Sequence, residues 1–260
     1  MKTTRKPADR REAAFTMVEI AISIAVVAFA LVAIIGVLPT GFQIQRENRE
    51  DTIINQEGML WLEAIRSGAR GMDYLTNHVV FIRQIQRWGG QTRTNTYRYR
   101  AGYASGIEIV GLLTQPKYVQ DGQGNWMTSR AQALVRAISG SAIGKSLTNE
   151  FAFTYLLEVE AVPYNPFAPA ETNWQSGGLD QVEWVVRSNN WVVARNLERN
   201  AWALRLTLSW PAEELGRDRL RVGRGRRVFR VLNSGWMQRD ELPDAPPLHL
   251  MQPSEFRRAK

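Results

Sequence analysis

The sequence predicts an α+β protein: a long N-terminal α-helix, transmembrane in its first half, packed on an antiparallel β-sheet. Three observations predict it. Residues 15–38 form an apolar run interrupted only by Thr16, Glu19, Ser23 and Gly36. Helical spacing of apolar side chains then persists as far as Arg66. From Phe151 onward the pattern changes to two-residue alternation, the mark of half-buried strands.

The first 14 residues carry Lys2, Arg5, Lys6, Arg10 and Arg11 against Asp9 and Glu12, whereas Arg46 to Asp51, beyond the apolar run, is balanced in charge. That asymmetry keeps the leader cytoplasmic and exports the rest of the chain. As a helix, residues 15–38 extend about 36 Å at 1.5 Å per residue, enough to cross a bilayer. A carboxylate inside such a span costs about 2.5–3.5 kcal/mol at the centre and less near the interface. Glu19 therefore needs a cationic partner. Cleavage between Ala14 and Phe15 creates one, because the new α-amino group of Phe15 lies about one helical turn from Glu19, and the same group on a neighbouring subunit is equally suited.

Past the span, Pro39, flanked by Gly36 and Gly41, is expected to kink or locally melt the helix. Ile44, Ile53, Ile54, Met59, Leu60, Leu62 and Ile65 continue it to Arg66, and Gly68 and Gly71 stop it. Met72, Leu75, Val79, Ile82, Ile85 and Trp88 predict a second helix over 72–88, and Thr128 or Ser129 is placed to cap a third running through Leu134 and Ile138. Phe151, Phe153, Tyr155, Leu157 and Val159 predict one face of a strand. Trp202, Leu204, Leu206, Leu208 and Trp210 predict another, with Val228–Leu232 as its hairpin partner across a loop starting at Pro211. Val182–Val186 and Trp191–Ala194 predict a further strand pair around Asn189-Asn190, and residues 163–178 a surface loop. The expected organisation is 1–14 leader, 15–38 transmembrane half-helix, 39–71 outer half-helix, 72–242 globular domain and 243–260 a loosely ordered tail with four prolines.

Composition narrows the chemistry. Among 260 residues there is no cysteine, which excludes disulfides, thiolate metal sites and a cysteine nucleophile. The two histidines, His78 and His249, lie far apart, one in the expected second helix and one in the tail, a poor basis for a metal site or triad. Gly140-Ser141-Ala142-Ile143-Gly144-Lys145-Ser146 resembles a phosphate-binding loop but is one residue short, with Ser139 at the required glycine. Asp121-Gly122-Gln123-Gly124-Asn125 offers one carboxylate where calcium takes six to eight oxygens, so it reads as a turn. Seven arginines, at 217, 219, 221, 224, 226, 227 and 230, crowd the expected hairpin between Trp210 and Trp236. They read first as a solvated loop; DNA phosphates, anionic lipid headgroups or an acidic partner subunit are the alternatives. No catalytic residue, cofactor or metal is expected.

The stretch Ala14-Phe15-Thr16-Met17-Val18-Glu19, behind a basic leader and ahead of an uncharged helix, resembles the prepilins and pseudopilins of type IV pilus and type II secretion systems. The resemblance covers about the first tenth of the chain. It implies a pilin-like fold, with Ala14 as the last leader residue, Phe15 as the N-terminus that becomes N-methylated, and Glu19 as the assembly acid. The family's usual last leader residue is Gly; here it is Ala14. The implied partners are a prepilin peptidase, other pilin or pseudopilin subunits and the inner-membrane assembly platform. The implied place is the inner membrane as a single-pass protein, N-terminus cytoplasmic and globular domain periplasmic, then a filament, with the chain as a minor subunit and not an enzyme. Two plainer readings compete. A secretory signal cut at Ala28-Phe29-Ala30 leaves an apolar new terminus, Leu31–Leu38, and an ordinary anchor leaves Glu19 without a purpose. Of the other functional classes, a DNA-binding minor pilin of an uptake apparatus is separated by salt-dependent DNA affinity, and an unprocessed membrane-anchored binding protein by its N-terminus. Nucleic acid is not an expected partner.

Overall fold

The computed structural model describes residues 15–68, 70–98, 105–120, 124–138, 153–175, 177–216, 219–241 and 247–258. The chain divides into two compact units, residues 1–51 and 52–260.

In the first unit the helix α1 (Met17–Arg66) begins where Thr16 Oγ1 accepts the Glu19 N–H at 3.3 Å, capping an otherwise unpaired donor. Helix continues through Pro39, so the expected local melting does not occur, although Pro39 offers no N–H to the turn before it. Every residue from 15 to 49 is exposed. This is a helix long and apolar enough to span a membrane, and it fits a single-pass membrane protein.

The second unit starts inside the same helix. Ile53, Ile54, Glu57, Gly58, Trp61, Leu62, Ala64 and Ile65 are buried, a 3.6-residue repeat that turns one face inward. The second compact unit begins at Thr52, and this last stretch of helix is part of its core. Ile54, Trp61 and Ile65 have no exposed surface, and burial of side chains of this size contributes about 1.5–3 kcal/mol each. Gly68 and Gly71, both at positive φ, end the helix as expected.

Beyond a 3₁₀ turn at Asp73–Asn77 come β1 (Val79–Trp88) and β2 (Gln91–Arg98), then α2 (Gly106–Leu113), β3 (Tyr118–Gln120) and β4 (Trp126–Arg136). β5 (Thr154–Pro163), a short helix α3 (Pro169–Thr172) and α4 (Gln181–Asn200) come next. The chain then makes a long hairpin of β6 (Ala201–Gly216) and β7 (Arg219–Ser234), and closes with β8 (Trp236–Asp240) and β9 (Leu248–Gln252). Among the described residues, seven strands form one antiparallel sheet in the order β2-β1-β4-β5-β6-β7, with β3 beside β4. Its inner face, including Ala133, Tyr155, Leu157, Val159, Leu204, Leu206 and Leu208, packs in one cluster with α1 and α2. β8 and β9 make a separate two-stranded sheet.

The far end of the β6–β7 hairpin folds over the outer face. Ala212 is buried with Phe81 and Leu134, its carbonyl accepts from Thr154 Oγ1, and Glu214 pairs with Arg98. That guanidinium holds the Glu214 carboxyl below its ordinary range. Gly223 and Gly225 are required on β7 at this bend. A Cβ on Gly225 would lie 2.5 Å from the Trp210 ring, and one on Gly223 would lie 2.4 Å from Pro211 Cδ.

Several sequence expectations are corrected. Residues 72–88 are a 3₁₀ turn and strand β1, and 126–136 are strand β4, not helices. Val182–Val186 and Trp191–Ala194 belong to one 20-residue helix, α4, instead of a strand pair. Pro211 starts no loop: β6 runs on through a register shift and a cis Trp210–Pro211 peptide to Gly216. The C-terminal stretch carries strand β9, with Leu248, His249, Leu250 and Met251 buried, where a loose tail is expected. The phosphate-loop-like stretch 140–146 lies outside the described residues, as do Asp121, Gly122 and Gln123 of the calcium-like turn.

Candidate functional site

Three places carry the functional argument, each within one unit. The first is the start of α1. Ala14 lies outside the described residues, so the proposed cleavage junction is described only from Phe15 onward. Phe15 and Glu19 are exposed. The Glu19 N–H is held by Thr16 Oγ1 and its carbonyl accepts from Ser23 Oγ at 2.8 Å. Among the described residues that carboxylate has no cationic partner. An ionised carboxylate buried in an apolar medium is costly unless a cation lies beside it.

The second is a buried anchor where α1 enters the core. Glu57, without exposed surface, accepts the Ile138 N–H at 2.7 Å through Oε1 and the Tyr155 hydroxyl at 2.6 Å through Oε2. The Tyr155 oxygen in turn accepts from Trp61 Nε1 at 2.7 Å. Two α1 side chains one turn apart thereby grip β5 and the residue just past β4. Burial, and after it the adjacent Glu57 carboxylate, push the Tyr155 hydroxyl well above its ordinary value, so it stays a donor at physiological pH. Sequence reasoning missed this site. Its signal is an acid at Glu57 inside the apolar stripe defined by Ile54, Trp61 and Ile65, where a solvated face would not place one.

The third is the arginine-rich strand. β7 is an edge of the sheet, paired only with β6 among the described residues. Arg217 lies outside the described residues; Arg219, Arg221, Arg224, Arg226 and Arg230 are exposed. Strand alternation divides them between two faces. Arg226 and Arg230 flank Val228 on the outer side, while Arg227 faces α1 and donates to Asn55 Oδ1 at 2.6 Å. Arg221 is opposite Glu213 in register, and Arg205, opposite Arg230, pairs with Glu160. A single unbroken cationic surface is not what the fold builds. Trp210 is buried, and Trp236 lies under the Arg257 guanidinium at 4.4 Å, so neither flanking tryptophan is an open stacking platform. Charged residues along a free edge also oppose strand pairing with other chains.

His78 comes just after the 3₁₀ turn and His249 sits in β9, so the two remain on separate elements. Among the described residues no group of three or more His, Asp or Glu side chains is placed to hold a metal ion. Comparison with known proteins finds no matching family model, no similar curated protein and no similar solved structure.

Proposed function

We propose that the chain is a pseudopilin-like structural subunit, cleaved after Ala14 by a prepilin peptidase, N-methylated at Phe15 and assembled through Glu19 into a type II secretion or type IV pilus-like filament as a minor subunit. The observation that carries this reading is Glu19: one carboxylate near the start of an exposed apolar helix, without a cation of its own, behind a basic leader. The N-terminal α-amino group released by cleavage supplies the missing charge, in the same subunit or in its neighbour. In this reading the leader is cytoplasmic, the inner membrane holds residues 15–38 and the second unit is periplasmic. The chain has no active site of its own and takes no cofactor. Its partners are the peptidase, other subunits and the assembly platform.

The test has two parts. Mass spectrometry of the N-terminal peptide from membranes is expected to find N-methylated Phe15; an intact Met1 leader, or a start at Leu31, in functional protein removes the processing claim. Glu19→Leu is expected to reach the membrane as abundantly as wild type and to be cut after Ala14, because an embedded charge has been removed. It is expected to be several-fold depleted from sheared filaments, since the Phe15 amino group is then unpaired. Normal incorporation of the variant overturns the assembly role.

A further inference from the structure

The outer face of the sheet carries a charge pattern that stops one strand short. Across β4, β5 and β6 arginine is matched with glutamate: Arg130 pairs with Glu158 at 2.8 Å, and Glu160 takes Lys117 at 3.4 Å and Arg205 at 3.5 Å. Arg230 on β7 comes next in that row, directly opposite Arg205. Like charges set opposite each other destabilise a sheet, and Glu160, the acid of the row, is already shared by two cations. Among the described residues Arg230 has no acidic partner, and the buried Nε of Arg205 makes no hydrogen bond.

The backbone of β7 is open at the same place. The Gly235 N–H donates to the Asn200 carbonyl at 2.8 Å, while the Ala201 carbonyl turns to β5 and accepts from the Tyr164 N–H at 2.9 Å. This direction alternates along an antiparallel ladder, so Asn233, Val231 and Phe229 bond to β6. The N–H and C=O groups of Leu232, Arg230, Val228 and Arg226 therefore face the free edge. Phe229 and Val231 pack toward the inner cluster, which places the side chains of those four residues on the outer face in the order apolar, basic, apolar, basic. Val228 and Leu232 are 38% and 54% exposed. Beside Leu232 lies an open hollow of about 380 Å³, lined by Val162, Tyr164, Ala203, Arg205 and Arg230.

We propose that the free edge of β7 is a docking site for an extended acidic segment of a partner protein, which adds to the sheet as an antiparallel strand. Opposite Leu232, Arg230, Val228 and Arg226 the segment presents, at alternate positions, an apolar residue, an acid, an apolar residue and an acid. The first acid meets Arg230 and supplies the charge that the row lacks; the first apolar side chain covers Leu232 beside the hollow. Phosphate surfaces give no use to the carbonyls of an open edge, nor to the valine and leucine between the charges. A second copy of this chain is a poor occupant, because Arg219–Ser234 holds six arginines and no acid, and pairing two such edges sets like charge against like. The arginines thus reject one class of strand while attracting another. The site lies within the second unit and does not depend on how the N-terminus is processed.

The probe is a fluorescein-labelled peptide, Leu-Thr-Glu-Thr-Val-Thr-Glu, titrated into the full-length protein in detergent at low salt. Anisotropy is expected to show saturable one-to-one binding, and none for a peptide with lysine in place of both glutamates. N-methylation of the valine amide, which faces β7 in this register, is expected to abolish binding; N-methylation of the central threonine amide, which faces away, is expected to spare it. Arg230→Glu is expected to weaken the glutamate peptide at least about tenfold, the size of a lost charge-assisted hydrogen bond, and to gain binding of the lysine peptide, with circular dichroism unchanged. The comparisons between peptides need no protein variant, so they remain decisive if Arg230→Glu misfolds. Absence of saturable binding, equal binding of the glutamate and lysine peptides, or indifference to the valine N-methyl group overturns the proposal. So does binding to phosphatidylglycerol vesicles or duplex DNA with the peptide left unbound, which assigns the edge to a phosphate surface.

Discussion

Tyr155→Phe removes one oxygen and should unsettle the whole junction between α1 and the sheet. In the native fold that oxygen donates to Glu57 at 2.6 Å and accepts from Trp61 Nε1 at 2.7 Å, and both partners lack exposed surface. A hydrogen bond to a charged group is worth about 1.5–3 kcal/mol, and a buried donor left without an acceptor costs about 1–3 kcal/mol. The expected loss is thus about 2.5–6 kcal/mol, or roughly 5–24 °C in Tm for a domain of this size. Glu57→Gln keeps the shape and an acceptor for the Ile138 N–H, so it should cost less, and the double variant should fall short of additivity by about 1–2 kcal/mol. The assay is urea unfolding of the full chain in detergent, monitored by tryptophan fluorescence. A pH arm adds an independent check. The folded value of Tyr155 lies above its unfolded one, so its contribution is fully present below about pH 10 and declines as pH rises beyond it; Tyr155→Phe should flatten that alkaline slope. A loss under about 0.5 kcal/mol, the size of an ordinary surface substitution, would refute the idea that this network fastens the helix.

Burial leads to two further outcomes. His249 is 6% exposed and its pKa is lowered to about 4, by burial first and by Arg239 second. Since the folded value lies below the unfolded 6.5, its stabilisation is complete above pH 6.5 and is lost as pH falls through about 4. The loss is about 3 kcal/mol at 1.36 kcal/mol per pH unit. His249→Leu should lose less stability than wild type between those pH values in chemical denaturation, and parallel curves would show that the ring is not what titrates. Gly58→Ala should destabilise by about 1–3 kcal/mol, because the added Cβ would lie 2.3 Å from the Phe229 ring; an unchanged melting temperature would mean that β7 yields freely at that point.

The long apolar helix, its glycine stop and the two strands with clean alternation, β5 and β6, are legible in the sequence because each face of these elements has one kind of residue. The misread elements break that condition. β1 is covered on both sides: Ile82 faces the inner core, Phe81 lies under the hairpin end, and the inward Gln84 is polar because its amide donates to the Leu112 carbonyl at 3.1 Å. With alternation blurred, Val79, Ile82 and Ile85 counterfeit a helical spacing. α4 errs the other way, since its valines advertise a strand while their face is exposed. The corrective signal is local, an Asp180 cap with Glu183 three residues later. β9 is hidden by the prolines before it, which dominate the composition of a stretch whose next four residues are buried. Of the candidate site residues, Glu19 is picked out by sequence alone, as an acid in an apolar run, whereas the Glu57 anchor depends on Tyr155 and Ile138, roughly 80 to 100 positions away.

Continuity of α1 from Met17 to Arg66 also makes the chain a mechanical element. Within the second unit, a pull along the Thr52–Arg66 part of the helix reaches the sheet through the side chains from Ile53 to Ile65, in a direction parallel to the surface on which they pack. Such a load is shear: the Glu57 contacts, the Trp61 indole and the apolar ridge must all slip together, and no end is available from which to peel them one by one. Force applied to that stretch of helix would therefore be borne by the folded unit as a whole, as a handle bears its load.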